Sequence, residues 1–98
     1  MRKGLLSFVL VLFTISMAWS QTRIVTGKVI SEEEPAGLPG VNVVLKGTTT
    51  GVITDLDGEF SIAVQGDNAT LVFSFIGYTT LQQVVGNRSV LNVTLNPD

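Results

Sequence analysis

Apolar and polar residues alternate along most of the chain after residue 20, and this pattern predicts β-strands. Along residues 91–96, for example, Leu91, Val93 and Leu95 alternate with Asn and Thr. Because successive strand side chains point to opposite faces, a period of two indicates a strand with one buried face. The same alternation recurs in three further segments, 41–46, 59–64 and 71–76. No window repeats apolar residues at helical spacing without a Gly, Pro or Thr interrupting it, so we predict an all-β fold.

Turn-forming residues separate these segments. Asp55-Leu-Asp-Gly58 predicts a tight hairpin in which Gly58 adopts a positive φ, and Gly77 predicts a bend before the sixth strand. Seven short strands at a spacing of about 8–12 residues are typical of a β-sandwich. The predicted strands lie near residues 24–30, 41–45, 52–54, 60–64, 71–76, 79–85 and 90–95.

A chain this short needs nearly every inward position for its core. Val, Ile and Thr supply 27 of residues 21–98 and Ala only three, as expected for a pleated, half-buried surface. The predicted core consists of Val25, Val29, Val41, Val43, Leu45, Phe60, Ile62, Leu71, Phe73, Phe75, Leu91 and Val93.

The first twenty residues predict a cleavable signal peptide. Arg2 and Lys3 precede an apolar run over residues 5–15, and Ala18 and Ser20 are small residues before a cut. That run is too short to span a hydrocarbon core of about 30 Å. We therefore expect a signal peptide over 1–20, a single β-sandwich domain over 21–96, and the start of a linker or tail at 97–98, because Pro97 cannot extend a strand ladder. No Cys follows the cut to carry a lipid anchor.

Charge and composition exclude several classes of function. Loss of Arg2 and Lys3 leaves four cations and eight acids, a formal net charge of −4, so no basic patch for nucleic acid is available. The chain has no His and no Cys. Ser61, Ser74 and Ser89 therefore lack a histidine base, and a zinc site lacks its usual ligands. We predict no enzyme, no cofactor and no catalytic, cofactor-binding or metal-ligating residues.

Three local motifs have structural explanations. The Asp55-x-Asp57-Gly58 segment has two calcium-type carboxylates but lacks the later bidentate ligand, so we interpret it as a turn. The acids of residues 32–34 lie in a Pro/Gly-containing loop, which does not hold two carboxylates on opposite sides of one bond. Gly47, Gly51 and Gly58 do not open a helix and so predict no phosphate site.

Two further patterns concern sugars. Three glycosylation acceptor patterns are present, but composition alone explains them; they begin at Asn68, Asn87 and Asn92. An aromatic platform for a carbohydrate would need exposed rings, whereas Phe60, Phe73 and Phe75 lie on the buried parity. Tyr78 is the one aromatic residue after residue 20 whose polar end we expect to reach solvent.

Three motifs resemble a known family. Pro39-Gly-Val41, Thr54-Asp-x-Asp-Gly-x-Phe60 and Phe75-Ile-Gly-Tyr78 closely resemble the carboxypeptidase D regulatory-like domain at the N-terminus of SusC/RagA-type TonB-dependent outer-membrane transporters of Bacteroidota. The resemblance covers about residues 24–95. It implies a seven-stranded transthyretin-like (prealbumin-like) β-sandwich without peptidase chemistry.

The resemblance also implies a context. We expect an exported, non-catalytic domain on the periplasmic face of the outer membrane, in contact with the remainder of a TonB-dependent nutrient transporter or with the TonB system. The chain stops where the TonB-contacting segment, plug and barrel of such a transporter begin, so by itself it neither spans a membrane nor conducts a solute. The alternative is a free-standing secreted binding or structural module, with a carbohydrate or a cell-surface protein as its partner.

Overall fold

A computed structural model describes residues 22–98, which form seven β-strands and no helix. The predicted signal peptide lies outside the described residues. The strands are β1 (Thr22–Ile30), β2 (Asn42–Leu45), β3 (Gly51–Ile53), β4 (Glu59–Gln65), β5 (Thr70–Ser74), β6 (Leu81–Val84) and β7 (Val93–Thr94). All seven predicted strands are present, although β5, β6 and β7 are shorter than the alternation suggested.

The strands form two sheets that enclose one core. The smaller sheet has the order β4-β1-β7 and the larger has the order β3-β2-β5-β6. Neighbouring strands are antiparallel except β1 and β7, which are parallel with Val29 opposite Val93. This arrangement confirms the predicted all-β sandwich; the parallel pairing of β1 with β7 could not be read from local alternation.

Gly27 allows the close approach of β1 and β7. A Cβ atom at this position would lie 1.8 Å from the carbonyl oxygen of Leu91 and 2.8 Å from Cζ of Phe60. The amide of Leu91 donates to the carbonyl of Thr26 at 2.8 Å, immediately beside this contact. A glycine inside a strand commonly marks such a close backbone approach.

The core confirms most of the predicted inward positions. Phe60 and Phe73 pack edge to face at its centre, with ring centroids 5.5 Å apart. The prediction was wrong for Leu45 and Phe75, which are only half-buried because each lies where a strand of the larger sheet ends. Four buried residues were absent from the predicted core: Leu38, Val64, Val85 and Leu95. Leu38 lies in a loop, where alternation carries no information, and Val85 lies one residue beyond the observed end of β6.

Residues 96–98 are attached to the domain. The amide of Thr79 donates to the carbonyl of Asn96, and the amide of Asp98 donates to the carbonyl of Gly77, both at 2.9 Å. Tyr78 and Pro97 form an isolated antiparallel bridge. The linker or tail expected from residue 97 stays a prediction, while residues 97 and 98 themselves lie against the turn at Gly77.

Candidate interaction surface

Because neighbouring strands run antiparallel, apart from β1 and β7, the loops lie at two ends of the sandwich. One end holds residues 31–41, 54–58, 75–80 and 95–98, and we call it the acidic end. The opposite end holds Thr22 and residues 46–50, 66–69 and 85–90. Since β1 has nine residues, the two ends are separated by about 26 Å at roughly 3.3 Å per residue.

Charge is divided unevenly between these ends. The acidic end holds six of the eight acids that follow residue 20 and none of the four cations. The opposite end holds two cations and one acid, and the guanidinium of Arg23 on β1 reaches its loop carbonyls. The remaining pair, Lys28 and Glu59, are register partners on β1 and β4. The separation of the ends exceeds the Debye length of about 8 Å at physiological salt, so a partner experiences each end as a separate electrostatic surface.

Thr54 ties the β3–β4 hairpin to the loop before β2. Its side chain is buried, and its hydroxyl donates to the carbonyl of Leu38 at 2.7 Å and accepts from the amide of Val41 at 2.9 Å. The amide of Gly40 also donates to the carbonyl of Thr54 at 3.2 Å. These hydrogen bonds satisfy backbone groups that have no strand partner, so the two loops form one fixed unit.

Gly58 permits the same two loops to touch. Its φ is 76°, as predicted for this turn, and a Cβ atom there would lie 2.6 Å from both the amide nitrogen of Leu38 and the carbonyl oxygen of Val29. Any other residue would combine left-handed backbone strain with a backbone clash. Packing between the two loops therefore explains why the Thr54-Asp-x-Asp-Gly-x-Phe60 motif has Thr at its first position and Gly at position 58.

The Asp55 side chain confirms the turn interpretation of the Asp-x-Asp-Gly segment. Its Oδ1 atom accepts from the amides of Asp57 and Glu59, both at 2.9 Å, and its carbonyl accepts from the amide of Gly58 at 2.9 Å. Within residues 22–98 the structure shows no group of three or more carboxylates, histidines or cysteines placed to hold a metal ion. Asp55 serves as the organiser of an Asx-type turn.

Tyr78 connects the turn after β5 to the loop that carries Glu32, Glu33 and Glu34, which we call the acidic loop. Its hydroxyl lies 3.3 Å from Oγ of the buried Ser31 and 3.5 Å from Oε2 of Glu33, and its ring stacks at a tilt on Phe75. The same Ser31 Oγ accepts from the amide of Glu34 at 3.0 Å. The ring is half-buried against the core while the hydroxyl reaches the loop surface. With Phe60 and Phe73 buried and Phe75 half-buried, the aromatic side chains of residues 22–98 do not form an exposed platform for a sugar.

Two apolar side chains stand almost fully exposed at the acidic end. Leu56 is 89% exposed in the hairpin turn, and Ile76 is 90% exposed in the turn after β5. Ile53, at the end of β3, is 65% exposed. The sequence predictions did not single out Leu56 or Ile76 as contact residues. Leu56 is a large aliphatic residue within a predicted turn, where polar residues are usual, and Ile76 ends the predicted strand over residues 71–76 on the face opposite Phe73.

The other candidate residues lie apart from one another. Ser61 lies on β4, Ser74 at the end of β5 and Ser89 in a loop of the opposite end. The three acceptor asparagines are exposed, and Oδ1 of Asn92 accepts from the amide of Lys28. An open groove of about 790 Å³ runs beside β1 and β4 and is lined by the register partners Lys28 and Glu59, with Asp55 at its edge.

The fold and the loop motifs together define a β-sandwich of the regulatory-domain type. The sequence profile of the CarboxypepD_reg-like domain matches residues 25–98. The chain belongs to this family, as the resemblance of its motifs predicted.

Its curated relatives include TonB-dependent receptors. The chain is 40% identical to the TonB-dependent receptor SusC of Bacteroides thetaiotaomicron over 99 aligned residues, which cover 100% of this chain and 9% of that protein. It is 37% and 39% identical to the TonB-dependent receptors P39 and P3 of Formosa agariphila, covering 95% and 81% of this chain. The chain thus spans less than a tenth of the length of these relatives.

Solved structures support the fold. Two crystal structures of interface mutants of the type II cohesin–X-dockerin complex of Acetivibrio cellulolyticus superpose with TM-scores of 0.60 and 0.57. They cover 76% and 72% of this chain and 57% and 51% of the matched chains, at 18% and 24% identity. At that identity the likeness concerns the fold alone. Among residues 22–98 the structure contains no helix long and apolar enough to cross a membrane.

Proposed function

We propose that the chain is the periplasmic N-terminal domain of a SusC-like TonB-dependent outer-membrane nutrient transporter, and that it acts by protein contact without catalysis. The observation that carries this proposal is the relationship to long receptors: 37–40% identity along nearly the whole chain, within a small part of each relative. The expected signal peptide is consistent with export to this location.

The arrangement of the described side chains favours a contact role. The polar groups at the centre of the acidic end, Thr54, Asp55 and Ser31, are committed to hydrogen bonds that hold loops together. The exposed groups of that end include six carboxylates and the aliphatic side chains of Leu56 and Ile76, which are available for contact with a partner of complementary charge.

Fractionation tests the proposal directly. Native cells are separated into periplasmic and outer-membrane fractions and blotted with an antibody raised against residues 21–98. A large outer-membrane band is expected. A periplasmic or secreted band no larger than these 78 residues would overturn the proposal and would favour the free-standing binding module instead.

Deletion tests the contribution of the domain to transport. Residues 24–95 are removed in frame from the full-length transporter, and TonB-dependent uptake is compared with wild type after normalising for transporter abundance in the outer membrane. Reduced uptake at equal abundance is expected. Unchanged uptake and unchanged TonB dependence would argue against a functional role for the domain.

A further inference from the structure

The acidic end has the features of a docking surface. Leu56 and Ile76 project from two different turns at this end and are 89% and 90% exposed. A single exposed aliphatic residue is common on a protein surface. Here two of them lie on neighbouring turns, with Ile53 close to Leu56, and together they form an exposed apolar patch of the kind that marks an interaction site.

The two turns belong to one continuous surface. The loop over residues 37–41 lies between them: on one side Gly40 is hydrogen-bonded to Thr54, and on the other side its Cα faces Phe75, whose Cε1 would be 3.3 Å from a Cβ at Gly40. Leu56 and Ile76 therefore flank this loop. The hydroxyl of Tyr78 contacts the carboxylate of Glu33, so the loop that carries Glu33 belongs to the same surface.

Charge at this surface specifies the chemistry of its partner. Six carboxylates surround the aliphatic residues and no cation lies in the loops of the acidic end: Glu32, Glu33, Glu34, Asp55, Asp57 and Asp98. All six residues are exposed. A complementary surface carries lysine or arginine around an apolar recess, since electrostatic complementarity steers association and suppresses like-charged partners.

We propose that a lysine- or arginine-bearing apolar surface of the same transporter polypeptide covers the acidic end. This proposal rests on the proposed function, under which more than nine tenths of the polypeptide lies beyond the domain, by the length of the relatives. In such a polypeptide the chain continues from residue 98. Residue 98 lies next to Ile76, because the amide of Asp98 donates a hydrogen bond to the carbonyl of Gly77. The following segments are thus held at high effective concentration next to this surface.

Site-specific photocrosslinking in the full-length transporter tests this docking. p-Benzoylphenylalanine replaces Ile76 or Leu56, and a specific protease site is introduced after residue 98. Asn87, which is exposed at the opposite end, is the matched control position. After irradiation of intact cells and cleavage in the outer-membrane fraction, an antibody against residues 21–98 shows whether the domain is released or stays attached to the remainder.

We expect the domain to stay attached when the probe replaces Ile76 or Leu56, and to be released when the probe replaces Asn87. Crosslinks from Ile76 no more frequent than those from Asn87 would overturn the docking proposal, and so would an adduct to a separate protein. If the uncleaved band is no larger than the isolated domain, the proposed function fails as well. The size of the uncleaved band therefore separates the two failures.

A charge variant tests the electrostatic part of the proposal without disturbing the core. Glu32→Gln/Glu33→Gln/Glu34→Gln, combined with the probe at Ile76, is expected to lower the crosslink yield by about threefold or more, because exposed carboxylates act through screened attraction. The control Asp67→Gln removes the one acid of the opposite end and is expected to leave the yield unchanged. Equal yields in the triple variant and the control would show that the acidic loop does not contact the partner.

Discussion

Thr54→Val is expected to destabilise the domain strongly although it preserves the shape of the side chain. The substitution replaces a hydroxyl by a methyl group and removes two buried hydrogen bonds, to the carbonyl of Leu38 and from the amide of Val41. Both backbone groups lie in the loop before β2, where no strand partner can replace the hydroxyl. Each buried backbone group left without a partner costs about 1–3 kcal/mol, so the two together cost about 2–6 kcal/mol.

That loss is large for a domain of this size. A stability of about 0.05–0.15 kcal/mol per residue gives roughly 4–11 kcal/mol for residues 22–98. The assay is urea unfolding of residues 21–98 followed by far-ultraviolet circular dichroism. With a slope of about 1 kcal/mol per molar urea, the midpoint should fall by about 2–6 M, and a variant at the upper end would be unfolded in buffer.

Thr54→Ser is the matched control. It keeps the hydroxyl and loses one buried methyl group, at a cost of about 1 kcal/mol. The serine variant should therefore be the more stable of the two, although it is the less similar in volume. A valine variant as stable as wild type, or more stable than the serine variant, would refute the view that the hydroxyl holds the two loops together.

Three further tests apply the same unfolding assay to other parts of the fold. Gly58→Ala should lower the free energy of unfolding by at least about 3 kcal/mol, because its Cβ would clash with backbone atoms. Gly66 has a φ of 72° but open space around it, so Gly66→Ala should cost only about 1–2 kcal/mol. Equal losses for the two variants would contradict the packing argument. Phe73→Ala should cost about 3–5 kcal/mol, and the half-buried Phe75→Ala distinctly less; the reverse order would contradict the observed core. Arg23→Met should cost about 1–3 kcal/mol, because the Arg23 guanidinium donates to three loop carbonyls at the opposite end; no loss at low salt would mean that those bonds are not formed in solution.

Alternation predicted the parts of the fold that depend on strands alone. Phe60, Ile62 and Val64 are all buried on β4, and the polar residues between them are exposed. Glycine and Asx chemistry likewise predicted the positive φ of Gly58 and the turn at Asp55. These features depend on contacts within a few residues, so a local pattern is enough to specify them.

Loop positions escaped prediction because their burial depends on distant residues. Leu38 is buried because Thr54 and Gly58 hold its loop against the sandwich. Thr54 is 16 residues away from Leu38 along the chain. Leu45 and Phe75 follow the alternation of their strands but lie where the sheets no longer cover them fully. The exposed Leu56 shows the converse: a large aliphatic residue in a turn has no local pattern that places it inside or outside. Ile76, by contrast, lies on the outward face of its predicted strand.

The sequence by itself determined an all-β domain with seven strands, its main core positions, the lack of histidine and cysteine side chains, and its family motifs. Tertiary structure decided the parallel pairing of β1 with β7, the locking of two loops by Thr54, and the gathering of six carboxylates with Leu56 and Ile76 at one end. The reason is physical. Local periodicity fixes which face of a strand is apolar, whereas the order in which strands pair decides which distant loops become neighbours.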